Sequence, residues 1–320
     1  MNAHWRERPE GGGLAALWLI RFIALHGGRR LARALLYPVT LYFFLRRGAE
    51  RRASRSFLSR ARQRPASTID VLRHLHVFAS ATLDRVYMLA HGERYFDLDV
   101  EGLELLHRAL DSQRGMLLVG SHLGSFEAMR LLSRRQQDKP LRVVLDRQQG
   151  PAVTALLDAL APDIACGVID GSRDPASVVL AVGEAAQQGH MIGLMADRGR
   201  PDERMAMVPF LGQPAPFPLG PWMLAAALRI PVLLCYGLYL GGNRYKLRFE
   251  SFADTVSVQR ADRSEAVERW VHAYARSLER QARAHPCNWF NFYDFWNAPT
   301  SLDAAGAAAD RDSRRMGAGS

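Results

Sequence analysis

Residues 115–127 read GMLLVGSHLGSFE, and this short stretch decides the fold. Its apolar run ends at Gly120, and an unbroken run of this kind is typical of a strand buried on both faces of a parallel sheet. A turn flanked by glycines then presents His122, and Ser121 or Ser125 is placed to cap the helix that follows. The stretch therefore predicts a strand, a tight turn and a helix, with an imidazole at the corner.

Predicted strands and helices alternate along most of the chain. Helices are predicted over residues 69–90, 104–110, 125–135, 152–161, 175–188, 220–228 and 264–284, and strands over 95–100, 115–120, 141–145, 166–169, 191–195, 232–240 and 245–252. This alternation predicts a single α/β domain with a mostly parallel central sheet flanked by helices. Ligands bind such sheets beyond the carboxyl ends of the strands, and His122 and Asp197 each follow a predicted strand.

Composition divides the chain into three parts. Residues 1–65 form a basic, apolar segment that we expect to associate with membranes, and residues 66–300 carry the α/β domain. Residues 301–320 are rich in Ala, Gly, Arg and Asp, which predicts a disordered tail. Inside the domain, the proline-rich residues 209–218 are predicted to form a loop.

Positive charge is concentrated at the amino terminus. Residues 1–65 contain fourteen Arg, no Lys and three Glu, a net charge of +11 in a chain whose total is +10. A basic segment can bind nucleic acid or an anionic membrane. Nucleic-acid-binding arms are polar, whereas this segment is apolar and aromatic between its arginines, so we expect a membrane surface and no nucleic acid.

The amino-terminal segment contains two apolar runs, LAALWLIRFIAL at 14–25 and LLYPVTLYFFL at 35–45. Both fall short of the roughly 18–20 residues that a spanning helix needs, which favours a shallow helical hairpin or amphipathic helices lying in the membrane interface. Ordinary core helices, or one tilted span over 31–45, are the alternatives. The arginines of 46–64 predict that this side faces the cytoplasm.

Several classes of enzyme lack their signatures in this chain. The three cysteines, Cys166, Cys235 and Cys287, show no CxxC spacing, which argues against a disulfide framework and against a zinc site. HExxH, P-loop and GxSxG motifs are absent. Zinc peptidases, nucleotide hydrolases and serine hydrolases are therefore not indicated.

The candidate catalytic pair is His122 and Glu127. On one continuous helix these residues would lie about 140° apart, so they can meet only if His122 sits in the turn and Glu127 in the helix. Glu127 would then accept a hydrogen bond from one ring nitrogen and leave the other as a general base. This arrangement favours direct base catalysis on a hydroxyl, without an acyl-enzyme. The simpler alternative is a structural histidine, with Glu127 as a favourable first-turn charge.

The order of several motifs carries a family resemblance. His122 and Glu127 form an HX4E motif, and the other segments are VVLDR at 143–147, LMADRG at 194–199, VPFLGQPAPFPLG at 208–220, IPVLLCYG at 230–237 and HPCNWFNFYDFW at 285–296. Over residues 14–296 the chain resembles the lipid A biosynthesis acyltransferases, which belong to the lysophospholipid acyltransferase group marked by HX4D/E. The resemblance implies a glycerol-3-phosphate acyltransferase-like fold at the cytoplasmic face of a bacterial inner membrane.

The resemblance also implies an activity. Such enzymes move a fatty acyl group from an acyl carrier protein or CoA thioester to a hydroxyl or amine of a membrane lipid or glycolipid precursor. His122 would be the base and Glu127 its partner, and no cofactor is expected because the thioester is already activated. A non-catalytic lipid-binding protein of the same fold and a thioesterase are the alternatives.

Charged and backbone groups near His122 are candidates for substrate binding. The resemblance gives Arg147 a functional role, either in binding an anionic group or in polarising the thioester carbonyl. Asp197 follows a predicted strand and is a candidate to orient Arg147 or Arg198. Backbone N–H groups at Gly124 and Ser125 are further candidates to stabilise an oxyanion.

Two aromatic residues of the proline-rich segment, Phe210 and Phe217, have two interpretations. They are candidates to line a groove that binds the acyl chain. Packing in the core explains them equally well.

Overall fold

A computed structural model describes residues 28–111, 115–133, 141–147, 151–200, 203–253 and 263–297. The helices are α1 (Gly28–Arg46), α2 (Gly48–Arg62), α3 (Thr68–His91), α4 (Leu103–Asp111), α5 (Phe126–Ser133), α6 (Pro151–Leu160), α7 (Pro162–Ala165), α8 (Pro175–Gln187), α9 (Gly220–Leu228) and α10 (Arg263–Ala284). The strands are β1 (Asp97–Glu101), β2 (Met116–Gly120), β3 (Leu141–Leu145), β4 (Val168–Asp170), β5 (Met191–Met195), β6 (Met205–Phe210), β7 (Gln213–Pro218), β8 (Val232–Gly241) and β9 (Arg244–Ala253). The predicted tail and the apolar run at 14–25 lie outside the described residues.

A seven-stranded sheet runs through the domain in the order β1-β9-β8-β2-β5-β3-β4. Strands β8, β2, β5, β3 and β4 are parallel to one another, whereas β9 is antiparallel to β8 and parallel to β1. This mostly parallel sheet flanked by helices confirms the predicted α/β domain. Strand β2 lies between β8 and β5, so the residues after Gly120 emerge between the ends of its two neighbours.

The sheet separates two clusters of core residues, and successive side chains of β2 point alternately to one cluster and the other. Leu117 and Val119 face a cluster that contains Trp222, whereas Met116 and Leu118 face a separate cluster on the other side of the sheet. All residues of β2 are buried. Burial on both faces explains why this strand is an unbroken apolar run in the sequence.

Helices α1 and α2 pack differently. Phe57 and Leu58 of α2 are fully buried in the cluster that contains Trp222. Helix α1 instead lies on α3 and leaves much of its apolar surface exposed. No helix in the part of the chain that the structure describes is long and apolar enough to cross a bilayer, so the span considered over 31–45 is not found.

A buried carboxylate fastens α1 to the domain. Asp84 of α3 is fully buried, and its Oδ1 accepts from Arg29 Nη2 at 2.9 Å. Arg33 Nη1 lies 3.5 Å from the other carboxylate oxygen, which also accepts from the Tyr245 hydroxyl at 3.0 Å. Strand β9 thus joins the same ion-pair network as α1 and α3.

The loop predicted over 209–218 is wrong, because β6 and β7 form an antiparallel hairpin there. Pro214, Pro216 and Pro218 alternate with Ala215 and Phe217 along β7. Because the prolines fall at every second position, the backbone nitrogens that lack a hydrogen all lie on the outer edge of β7. Among the described residues, β7 makes no ladder hydrogen bonds at that edge that would require an N–H donor. The alternate residues point into the core and are buried.

Candidate active site

The corner, residues 121–125, forms the tight turn predicted between β2 and α5. Ser125 caps α5, because its Oγ accepts the backbone N–H of Ala128 at 3.3 Å. Gly124 has a φ of 84°, and a Cβ there would collide with the carbonyl oxygen of Gly237 in β8. Only glycine allows the turn to approach β8 this closely.

A clamp segment, residues 288–290, holds the corner from the far end of the chain. Gly124 N donates to the Asn288 carbonyl at 2.8 Å, and Phe290 N donates to the His122 carbonyl at 2.9 Å. The Asn288 side chain bonds both backbone groups of Tyr239 in β8, at 2.7 and 3.1 Å. The corner and β8 are therefore fixed to each other through this segment.

The imidazole of His122 is held by Asp197, the residue just beyond the end of β5. His122 Nδ1 lies 2.9 Å from Asp197 Oδ1, and the His122 backbone N–H donates to both carboxylate oxygens at 3.1 Å. The indole N–H of Trp289 donates to Oδ2 at 2.9 Å. Asp197 and Trp289 are both fully buried. Three donors thus fix the carboxylate, which in turn orients the ring.

The hydrogen bond that we expected Glu127 to make with the ring is made by Asp197 instead. Glu127 Oε1 lies 2.9 Å from Nε of Arg85 in α3, and Ser125 Oγ donates to Glu127 Oε2 at 3.4 Å. The reason is geometric. His122 lies in the turn and its ring meets the residue after β5, whereas Glu127 lies in the first turn of α5 and meets α3.

Burial and two guanidinium groups keep His122 neutral. Burial lowers the pKa of the imidazole below its ordinary value of 6.5, Arg198 and Arg85 lower it further, and Asp197 offsets only part of this. Burial also opposes the charge on Asp197, but His122, Arg198 and Trp289 together hold the pKa of this carboxyl below its usual range. Although protein surrounds the ring, 33% of the His122 side-chain surface is exposed, so a ligand can reach it.

Every backbone N–H of the corner from His122 to Ser125 already donates to an oxygen. The acceptors, in chain order, are the Asp197 carboxylate, Ser121 Oγ, the Asn288 carbonyl and the Gly237 carbonyl. The N–H groups at Gly124 and Ser125 are therefore not available for an oxyanion, contrary to the expectation from the sequence.

Arg147 lies at the same edge of the sheet as His122 but not beside it. It follows β3, which β5 separates from β2. Its Nη2 donates to the carbonyl of Ala165 in α7 at 3.1 Å. The expected pairing of Arg147 with Asp197 is therefore replaced by the pairing of Asp197 with His122.

Arg198, the residue after Asp197, is bound to the carboxyl-terminal segment. Its Nη2 donates to the Phe290 carbonyl at 2.6 Å, and its guanidinium lies 5.2 Å from the centre of the Tyr293 ring. This contact places the Arg198 charge close enough to lower the pKa of His122. Asp197 orients His122 rather than Arg198, as its hydrogen bonds show.

Phe210 and Phe217 belong to the core. Both are fully buried, and their ring centroids lie 5.3 Å apart. Phe210 also packs edge-on against Trp289 at 5.3 Å. Their full burial supports the core interpretation, and Phe210 packs against the indole that holds Asp197.

Two residues of the site, Trp289 and Arg85, were missed by the sequence reasoning. Trp289 lies in a segment so rich in aromatic residues that its single N–H donor is not distinguished from ordinary core packing. Arg85 is one of many arginines, on a helix far before the motif. Only the packing of α3 against α5 brings it to Glu127.

The sequence profile of one family, the bacterial lipid A biosynthesis acyltransferases, matches residues 77–298, more than half of the chain. The chain belongs to this family. The match includes the complete seven-stranded sheet, the corner, Asp197 and the clamp segment. Membership of this family makes the chain an acyltransferase, an enzyme that uses an acyl donor and a lipid acceptor. No protein in a search of curated proteins matches the chain.

Proposed function

We propose that this acyltransferase moves a fatty acyl group from an acyl carrier protein or CoA thioester to a hydroxyl or amine of a membrane lipid or glycolipid precursor. His122 is the general base, and no covalent enzyme intermediate forms. The observation that carries the proposal is the 2.9 Å contact between His122 Nδ1 and the buried carboxylate of Asp197. Asp197 thus has the role that the motif suggested for Glu127.

The protonation states follow from the contacts of His122. An ionised carboxylate can only accept, so Nδ1 carries the ring proton and Nε2 keeps its lone pair. Nε2 removes the proton of the acceptor hydroxyl as the oxygen bonds to the thioester carbonyl carbon. The carbon–sulfur bond then breaks, and the leaving thiolate takes the proton from Nε2. The transient imidazolium lies against Asp197, which stabilises it.

Replacement of the base tests this proposal. A His122→Ala variant should release carrier thiol from an acyl thioester, in the presence of membrane lipid extract, at no more than about 10⁻³ of the wild-type rate. His107→Ala is the matched control, because His107 is exposed on α4. Folded His122→Ala enzyme with near-wild-type transfer would refute the proposal. Equal release of free fatty acid with and without acceptor would indicate a thioesterase.

The same proposal places the enzyme at the membrane surface through α1. Its exposed apolar side chains, between 38% and 69% exposed, are Leu31, Leu35, Tyr37, Leu41, Tyr42 and Leu45. At 100° per residue they fall within an arc of about 160°, opposite to the buried side of the helix. Exposed apolar patches of this extent mark interaction sites. Exposed Arg30 and Arg46 flank the patch, which suits an anionic bilayer.

Vesicle binding tests the membrane proposal. Wild-type protein should sediment with vesicles of phosphatidylethanolamine and phosphatidylglycerol more than with phosphatidylcholine vesicles. The variant Leu31→Glu/Leu45→Glu should lose most of this binding, because it puts a negative charge at each end of the apolar face. Leu180→Glu is the control, since Leu180 of α8 is 64% exposed elsewhere. Unchanged sedimentation of the double variant would rule out docking through α1.

A further inference from the structure

Attack on the thioester places a negative charge on the carbonyl oxygen, and the groups expected to stabilise it are occupied. The four N–H groups of the corner are bonded within the protein. Arg147 donates to Ala165, and Arg198 donates to Phe290. The backbone of the corner therefore offers no donor for this oxygen, and Arg147 and Arg198 each direct a terminal nitrogen to a protein carbonyl, which favours a donor on another element.

One face of α3 passes over the corner. The ring of Phe78 lies 5.3 Å from that of Phe290 in the clamp segment, and Met88 Sδ lies 3.9 Å from Ser125 Oγ. Arg85 is seven residues after Phe78 and three before Met88, which places it on the same face of the helix and between these two contacts. Its guanidinium is therefore directed towards the corner.

Glu127 fixes Arg85 while leaving most of its guanidinium unused. The Arg85 Nε lies 2.9 Å from Glu127 Oε1, as a close ion pair without the alignment of a hydrogen bond. Glu127 is 7% exposed, whereas 29% of the Arg85 side-chain surface is exposed. Within the described ranges Glu127 is the one ion-pair partner of Arg85, and the two terminal nitrogens are not engaged by a hydrogen bond there. They remain open to an oxygen of the substrate.

We propose that Arg85 is a catalytic residue that binds the oxyanion of the tetrahedral intermediate, and that Glu127 is its positioning residue. This inference rests on the proposed function. As the acceptor oxygen bonds to the carbonyl carbon, the electron pair of the C=O π bond moves to the carbonyl oxygen, which the Arg85 terminal N–H groups then bind. The pair returns as the carbon–sulfur bond breaks. Glu127 of the HX4E motif thus acts through a guanidinium and not on the imidazole.

Steady-state kinetics of Arg85→Ala test the catalytic role. An oxyanion donor is used only in the transition state, so kcat should fall about 10²–10³-fold while KM changes by less than about threefold. Millimolar methylguanidine should restore part of kcat in this variant, an effect that a merely structural residue would not show. Arg269→Ala, which removes an exposed arginine paired with Glu265, should behave like the wild type. A raised KM with unchanged kcat would overturn the proposal, because Arg85 would then bind ground-state substrate.

A double-mutant cycle tests the role of Glu127. If Glu127 acts through Arg85, then Glu127→Gln should lower kcat, and Glu127→Gln/Arg85→Ala should be no slower than Arg85→Ala alone. If the loss of kcat in the double variant equals the product of the losses in the two single variants, the positioning role of Glu127 is overturned. His122→Ala, measured in parallel, separates the two proposals. A normal rate in Arg85→Ala beside an inactive His122→Ala overturns only the role of Arg85, whereas an active His122→Ala overturns the proposed function.

Discussion

Replacing Asp197 by Asn tests the arrangement around His122 most directly. The carboxylate accepts three N–H groups, from the ring and the backbone of His122 and from the indole of Trp289. Asn keeps one acceptor oxygen and adds an NH₂ group. If the NH₂ group faces the ring, the proton moves to Nε2 and the base is lost. If it faces Trp289 instead, two donors meet in a buried position, at a cost of about 1–3 kcal/mol.

The expected loss of rate follows from the same contacts. In either orientation of the amide, the imidazolium that forms during the reaction loses its buried counter-charge. A wrong tautomer in a histidine triad costs about 10⁴-fold in kcat, which corresponds to about 5 kcal/mol of transition-state stabilisation. We therefore expect Asp197→Asn to lower kcat by about 10³–10⁴-fold while the protein remains folded.

Release of free thiol from acyl carrier protein or CoA thioesters, followed with a chromogenic disulfide, measures this loss. Asp174→Asn is the matched control, because Asp174 caps α8 at an exposed position and Asn is an equally good cap. The wild-type rate should rise with pH along a limb that lies below pH 6.5, since burial lowers the pKa of His122 and the base must be neutral. In Asp197→Asn this limb should move to lower pH, because the anion that raises the pKa is gone. A folded variant within tenfold of the wild type would refute the reasoning.

Three further predictions concern Trp289, Gly124 and His74. Trp289→Phe removes one charge-assisted hydrogen bond to Asp197, so kcat should fall about 10–100-fold in steady-state assays with KM little changed. Gly124→Ala should lower the free energy of unfolding in urea by more than about 2 kcal/mol, because its Cβ collides with β8, whereas Gly212→Ala, with a similar φ but open space, should cost only about 1 kcal/mol. His74 is buried and neutral with a pKa of about 4. Protonation of the unfolded chain should therefore remove about 2 kcal/mol of stability between pH 7 and pH 5, and urea unfolding of His74→Gln should show a correspondingly weaker pH dependence.

Features that depend on neighbouring residues could be predicted from the sequence. The unbroken apolar run predicted β2, because a strand buried on both faces carries apolar residues at every position. The glycines after it predicted the turn, because the positive φ of Gly124 is a requirement of that residue alone. The helix predicted over 69–90 is observed as Thr68–His91, with a capping box between Ser67 and Asp70.

Features that depend on the order of strands could not be predicted in this way. His122 and Asp197 are 75 residues apart and meet because β2 pairs with β5, which alternation of strands and helices does not specify. Glu127 was the nearer carboxylate in sequence, yet its place on α5 directs it to Arg85. For the same reason Arg147, which follows a strand one position further along the sheet, does not reach His122.

The clamp segment has a consequence for how the enzyme is made. Asn288 and Trp289 follow every strand of the sheet along the chain, whereas His122 and Asp197 lie between its strands. A product of premature termination ahead of residue 288 would contain every strand of the sheet but would leave the Gly124 N–H, the His122 carbonyl and one Asp197 oxygen without their partners. We therefore expect a polypeptide that ends ahead of the clamp segment to hold the His122 ring poorly and to transfer acyl groups slowly.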